Sequence, residues 1–301
     1  MKNVLSVVWV RVTPPMANTV FIPSRGRIDS AQKLAKVWES QGFGVHFVTE
    51  YYETDNYIKA INNEKVTVHR LPDPNRGIGY SRMHAVNLAA SFGYKSIILA
   101  DDDIRPSNYS NMVDLCRCAN NPKILGITAR YGYHDLCLGQ LIRNRDDIIL
   151  LPTGTFRLIA LNVNNVLDIG NYDKHLEYAE DCDLFLRGLA AGYPWMIHLG
   201  TRSNSTGNRY QPGGMLDYVI NTYPGAKELY EPEELLQKKK RDWHEQLYAK
   251  YPDVVNDPAK ADFTKQNSIR ISWRRAYDKY LPGWKDWSML HGGNLTRYLG
   301  P

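Results

Sequence analysis

Ser96-Ile97-Ile98-Leu99-Ala100-Asp101-Asp102-Asp103-Ile104 is the stretch whose reading decides the fold of this chain. Its first five residues are apolar and partly β-branched. Gly93 bounds them on one side and charge on the other, so they predict a short buried strand. The three aspartates then fall at the strand's carboxyl end, where open α/β sheets bind ligands. Alternate residues there point the same way, so Asp101 and Asp103 can converge on one cation. Hard oxygen donors suit Mg2+ or Mn2+, and such ions commonly bridge one or two carboxylates to phosphate oxygens. The run is expected to hold a metal and a nucleoside diphosphate. The plainer alternative is an acidic turn that caps the next helix.

Working outward, residues 19–22 read as a strand that Pro23 ends. A helix is predicted over 30–41, with Leu34, Val37 and Trp38 on one face and Gly42 as its stop. Strands follow at 45–48 and 66–71, then a helix over 80–92 that Gly93 ends. This βαβ rhythm predicts a Rossmann-like, mostly parallel mixed sheet flanked by helices. Further on, short strands are expected at 123–128, 148–151, 157–160 and 195–199, a helix at 180–191, and a polar loop over 200–214. Beyond about residue 224 the character changes to a charged helix at 231–248 and an Arg- and Trp-rich tail. The expected division is a catalytic domain over 19–225 and a helical, basic and aromatic extension over 226–301.

With 301 residues, 43% hydrophobic and 23% charged, the chain can form one large domain with an appendage. Its net charge of +5 suits a polyanionic partner. No apolar run reaches the roughly 18–20 residues of a membrane span. The apolar residues 4–10 are interrupted by Arg11 with no cleavage site after them, so a cytoplasmic location is expected, and Met16 offers an alternative start. Cys116, Cys118, Cys137 and Cys182 do not have usual zinc spacing and are expected to be reduced thiols, several of them in the core.

Four more constellations carry chemistry. Pro23-Ser24-Arg25-Gly26-Arg27 forms a loop at a strand's carboxyl end, suited to gripping a nucleotide and its phosphates. In Asn75-Arg76-Gly77-Ile78-Gly79-Tyr80-Ser81-Arg82, glycines open a helix and Arg82 stands one turn inside it, expected to reach the nucleotide. Glu180-Asp181-Cys182-Asp183 opens the next long helix, where the helix dipole alone would favour acids. A carboxylate there could also take a proton from an attacking hydroxyl, with Asp181 the leading base and Glu180 the second. Asp183 and Arg187, four apart, are expected to pair on the helix surface. His198 ends a strand and is expected as a third metal ligand beside Asp101 and Asp103. Asp102 is expected to contact the donor, with Thr153, Gly154, Thr155 and residues 131–135 shaping the donor or acceptor pockets.

Taken together and in this order, these units resemble the nucleotide-sugar glycosyltransferases of the GT-A fold, and in particular their large inverting family. In that family an Asp-x-Asp motif holds the metal–diphosphate and an Asp in a Glu-Asp pair is the base. The resemblance implies that Asp101 and Asp103 are the metal motif and Asp181 the base. The segments Phe21-Ile22-Pro23-Ser24-Arg25-Gly26-Arg27 and Ala100-Asp101-Asp102-Asp103-Ile104 resemble more closely the phage TET/JBP-associated glycosyltransferases. Over residues 19–225 this implies a UDP-sugar donor and, as acceptor, 5-hydroxymethylcytosine or another hydroxymethylpyrimidine in DNA. Lys238, Lys239, Lys240, Arg241, Arg270, Arg274 and Arg275 would then contact nucleic acid. The competing readings are a sugar nucleotidyltransferase, which usually opens with a longer Gly-rich loop, a glycosyltransferase acting on a glycan or small molecule, and a non-catalytic DNA-binding protein.

Overall fold

The computed structural model describes residues 18–74, 76–106, 109–131, 157–205, 231–263 and 271–282. The βαβ rhythm is realised as β1 (Thr19–Ser24), α1 (Ile28–Glu39), β2 (Gly44–Thr49), α2 (Thr54–Ile61), β3 (Val66–Arg70), α3 (Gly77–Ser91) and β4 (Ser96–Ala100). There follow β5 (Ile104–Pro106), α4 (Tyr109–Ala119), β6 (Gly126–Tyr131), β7 (Leu158–Asn162), α5 (Val163–Asp168), α6 (Glu180–Ala190) and β8 (Trp195–Ser205). The carboxyl-terminal segment adds α7 (Pro232–Lys250) and α8 (Trp273–Tyr280).

Among the described residues the strands form one sheet in the order β3-β2-β1-β4-β7-β6-β8-β5. β1 is parallel to both β2 and β4, and β2 to β3. The chain builds outward from β1 to β3, then returns to β4 on the other side of β1. That reversal brings the carboxyl ends of β1 and β4 together, and with them the Ser24–Arg27 loop and the aspartate run. β7 is antiparallel to β4 and β6, so the sheet is mixed.

One feature of the topology is unusual. Asp101 to Asp103 are all that separate β4 from β5, yet β7, β6 and β8 lie between them in the sheet. The four residue steps from Ala100 to Ile104 reach at most about 14 Å. Four strand spacings in a flat sheet would require about 19 Å. The sheet therefore curls, and β8 is long enough to serve both sides. It pairs with β6 from Trp195, shifts register between Ala129 and Arg130, and meets β5 with Ile104 opposite Ser205. The expected loop at 200–214 is thus strand as far as Ser205.

Three helices were not expected from the sequence. α2 buries Thr54, Tyr57 and Ile61, a 3–4 spacing hidden among polar residues. α4 buries Met112, Leu115, Cys116 and Ala119. α5 is started by Asn162, whose side chain accepts from the Asn165 N–H. α3 begins at Gly77, three residues earlier than the predicted helix. Residues 148–151 lie outside the described residues.

A single apolar cluster joins the sheet and helices, and Leu247, Val254, Val255, Ala276 and Tyr277 of the carboxyl-terminal segment belong to it. Cys116 and Cys182 are buried and Cys118 is half-buried, all three as free thiols, while Cys137 lies outside the described residues. Among the described residues no helix is long and apolar enough to cross a membrane.

Candidate active site

The crevice lies where the carboxyl ends of β1 and β4 meet. The Ser24 hydroxyl donates to Asp102 Oδ2 at 2.7 Å and lies 2.8 Å from the Tyr57 hydroxyl, which in turn accepts from the Arg27 N–H at 3.0 Å. The Arg27 guanidinium donates to Asp102 Oδ1 and comes within 3.8 Å of Asp103. Gly26 takes a left-handed φ of 67°, and its N–H reaches Glu53 Oε2 at 3.0 Å. The loop is thus built onto the aspartate run by side chains. Arg25 lies beside the half-exposed Tyr52.

The three aspartates differ in surroundings. Burial pushes the Asp102 carboxyl up to about 7, with Arg27 and the Ser24 hydroxyl pulling the other way. Asp102 serves the loop, not open solvent. Asp101 is also raised by burial, with Arg82 opposing and the neighbouring Asp103 charge adding to the rise. A cation between Asp101 and Asp103 would relieve that repulsion, and hard carboxylate oxygens are the donors that Mg2+ and Mn2+ prefer, so these residues fit such an ion. Arg157, which the sequence did not single out, stands 3.7 Å from Asp103 Oδ2, and its carbonyl accepts from the Asp101 N–H at 2.8 Å. It comes from the start of β7, brought beside Asp101 by antiparallel pairing, which leaves no local signal in the sequence.

Arg82 is placed otherwise than expected. It does not open toward a nucleotide but is buried between two carboxylates, donating to Asp101 Oδ1 at 2.7 Å and to Glu180 Oε1 at 2.5 Å. Burial works against its charge, but Glu180 and Asp101 outweigh that and hold it protonated. Burial pushes Glu180 up and Arg82 opposes. Glu180 is therefore an ion-pair partner in the core. The approach of α3 to α6 depends on Gly79. A Cβ there would lie 2.3 Å from the Leu176 carbonyl oxygen and 2.6 Å from that of Asp173.

Asp181 sits in the first turn of α6, 5% exposed, with one carboxylate oxygen accepting the Cys182 N–H at 2.8 Å. Asp183 is not on the helix surface: it is wholly buried. His198 is buried on β8 opposite Ala129, and a register shift separates it from the end of β8 that meets β5. Among the described residues no three His, Cys, Asp or Glu side chains gather to hold a metal. Thr153, Gly154 and Thr155 lie outside the described residues, and Tyr131 is described only in its backbone.

The basic residues are divided. On α7, Lys238 and Arg241 are exposed, Arg241 stacking over Phe263 at 5.4 Å. Lys239 lies 3.9 Å from Asp242, and Lys240 is 3% exposed. Four successive residues on a helix sweep almost its full circumference, so a basic run cannot all face one ligand. The expectation of a four-residue contact patch is corrected at Lys240, which is buried. Arg274 and Arg275 are exposed, Arg275 donating to Asn256 at 2.7 Å, and Arg270 lies outside the described residues.

Residues 18–124 match the family model described as TET-Associated Glycosyltransferase. The mannosyltransferase PcManGT from Pyrobaculum calidifontis, solved in complex with GDP-Man and Mn2+, shares the fold with a TM-score of 0.50 at 11% identity, over 77% of this chain and 71% of that one. GalNAc-T7, solved with UDP, GalNAc and Mn2+, gives a TM-score of 0.52 at 11% identity, over 88% of this chain and 54% of that one. No curated protein matches the chain in sequence. The strand–Arg loop and the aspartate run both fall inside the matched residues: the chain has the GT-A glycosyltransferase fold, and over residues 18–124 it is similar to the TET-associated glycosyltransferase family.

Proposed function

We propose that the protein moves a sugar from a UDP-sugar to the hydroxyl of a hydroxymethylpyrimidine in DNA, 5-hydroxymethylcytosine first among them, with inversion at the anomeric carbon. The observation that carries this reading is the Arg82 bridge, which ties the metal carboxylate Asp101 to Glu180, the immediate neighbour of Asp181. The carboxylate assigned to the metal and the neighbour of the residue assigned as base are thereby fastened to one buried guanidinium. The Mn2+ and nucleotide bound by the two structural relatives support a similar donor here.

In this reading Asp101 and Asp103 hold a divalent ion, Mn2+ or Mg2+, which when bound neutralises charge on the departing diphosphate. The Ser24–Arg27 loop, anchored through Asp102 and Tyr57, holds the nucleotide. Arg157, about one-third exposed beside Asp103, adds positive charge where the diphosphate leaves. Asp181 accepts the proton of the acceptor hydroxyl as that oxygen attacks the anomeric carbon from the face opposite the diphosphate. Lys238, Arg241, Arg274 and Arg275 contact DNA phosphates.

The test is to incubate the protein with several UDP-sugars, Mn2+ and hydroxymethylcytosine-containing DNA, then to weigh the digested nucleosides and identify the released nucleotide. A hydroxymethylcytosine heavier by one sugar residue, with UDP released, is expected. Release of pyrophosphate would assign a nucleotidyltransferase instead. Sugar transfer only to glycans or small molecules would overturn the DNA acceptor, and retained anomeric configuration would overturn the single displacement.

A further inference from the structure

The first turn of α6 is entered through Ala179, whose side chain cannot cap it, in the left-handed region, φ 60°, and the Cys182 N–H there is met by the Asp181 carboxylate. Contacts from other elements bear on where Asp181 stands. Two of its near neighbours are tethered. Glu180 is held by Arg82 from α3. Asp183 is held from the opposite end of the chain.

Asp183 is 0% exposed, and both of its oxygens are occupied. Oδ2 accepts Arg187 Nε at 2.9 Å. Oδ1 accepts Lys250 Nζ at 3.1 Å and the Tyr251 hydroxyl at 2.9 Å. Lys250 also donates to Asp173 Oδ2 at 2.5 Å, in the loop that leads into α6. These two residues end α7, so the carboxyl-terminal segment grips the helix that carries Asp181. Neighbouring contacts reinforce the grip: Trp243 packs against Tyr178 with rings tilted at 5.1 Å and donates to Glu177 at 3.3 Å, and Trp273 meets Phe185 edge-on at 4.9 Å. A carboxylate out of water is tolerated only when its lone pairs are met, so Asp183 holds its partners in a narrow geometry.

We infer that Lys250 and Tyr251 are positioning residues for sugar transfer: through Asp183 they hold the first turn of α6 so that Asp181 is bracketed between two fixed neighbours. This rests on the reading of Asp181 as the base. It gives the segment after residue 231 a part in the reaction separate from any contact with DNA.

The experiment uses the full chain carrying Tyr251→Phe, which removes one oxygen and keeps the ring, and separately Lys250→Met. UDP release from UDP-glucose with hydroxymethylcytosine duplex and Mn2+ gives kcat and KM, and calorimetry gives Mn2+–UDP affinity. A displaced catalytic group costs rate more than binding, so kcat is expected to fall roughly tenfold to a hundredfold with diphosphate affinity and donor KM unchanged. In an Asp181→Asn background the same changes should alter the residual rate by less than about twofold, because residues acting as a unit are not additive. Wild-type kcat in both variants, alongside an inactive Asp181→Asn, overturns the inference alone. A loss of Mn2+–UDP affinity in step with kcat also overturns it, by reducing the contacts to general support of the fold. An active Asp181→Asn, or no UDP release by the native protein, removes the reading beneath it.

Discussion

Arg82 and Glu180, 98 residues apart in sequence, form a buried ion pair at 2.5 Å, and Asp101 occupies another guanidinium nitrogen of the same arginine. Breaking such a pair from one side leaves charge with no partner and commonly costs about 3–5 kcal/mol. Arg82→Met is therefore expected to lower the urea midpoint sharply, while Arg82→Met combined with Glu180→Leu recovers part of the loss. A midpoint unchanged in the single variant would show that the pair contributes nothing.

Asp181→Asn keeps the shape of the side chain and removes its basicity. Transfer is expected to fall by about 10²–10⁴, the usual worth of a general base. Affinity for Mn2+ and UDP should persist, because those ligands are assigned to Asp101, Asp103 and the Ser24–Arg27 loop. Single-turnover transfer together with calorimetric titration checks both halves, and wild-type turnover would exclude Asp181.

Gly79→Ala sets a methyl carbon against two backbone oxygens, at 2.3 and 2.6 Å, which cannot rotate aside. The start of α3 must move off the loop before α6. Overpacking of this kind costs about 1–3 kcal/mol. Thermal denaturation should show the loss, and Mn2+ affinity should weaken with it because Arg82 rides on the same helix. Full stability in Gly79→Ala would mean that the approach is looser than described.

His46 Nδ1 and His69 Nε2 lie 2.8 Å apart, in rings stacked at 5.1 Å. Burial holds His46 down at about 4; burial, with the nearby His46 and His84 adding to it, holds His69 at about 3. Both are neutral when folded, whereas the unfolded chain protonates its histidines near 6.5. The unfolded state then binds more protons below that value, so their contribution to stability is complete above about pH 6.5 and is lost as pH falls toward 4. Asp102, raised to about 7, runs the other way in this window. The histidine effect is accordingly read as a difference: on moving from pH 7.5 to 4.5 the native chain should lose urea stability relative to a His46→Phe, His69→Leu chain. Parallel pH curves would refute it.

Lys238 and Arg241 should behave differently from Lys240. Replacing either exposed residue by Ala is expected to weaken DNA binding and to reduce the slope of log affinity against log salt by about 1. Lys240→Ala should instead lower the melting temperature and leave the slope alone. Equal slopes in all three variants would remove α7 from the DNA surface.

What the sequence could show was local. The β4 strand and the aspartates after it are legible because an apolar run meets a charged one within nine residues, and α6 because its apolar spacing and Gly192 agree. The roles of Arg82, Glu180 and Asp183 were hidden, since each is decided by partners in other elements. An arginine one turn into a helix looks alike whether it meets a phosphate or a buried glutamate. The basic run on α7 misled for a related reason: composition registers four charges, whereas helical phase turns Lys240 into the core. Nothing near Arg157 or Tyr57 distinguishes them, because strand pairing and helix packing carry them to the crevice.

The short link between β4 and β5 also acts as a ruler. Ile104 and Pro106 are buried while Arg105 between them is exposed, and all three pair with β8 in fixed register. One residue added among Asp101, Asp102 and Asp103 would let β5 slip by one place, turning Arg105 inward and Ile104 outward. The number of aspartates is thus tied to the closure of the sheet as well as to its chemistry. Substitution within the run can be read as a change of ligand, but insertion or deletion there should abolish folding before it alters catalysis.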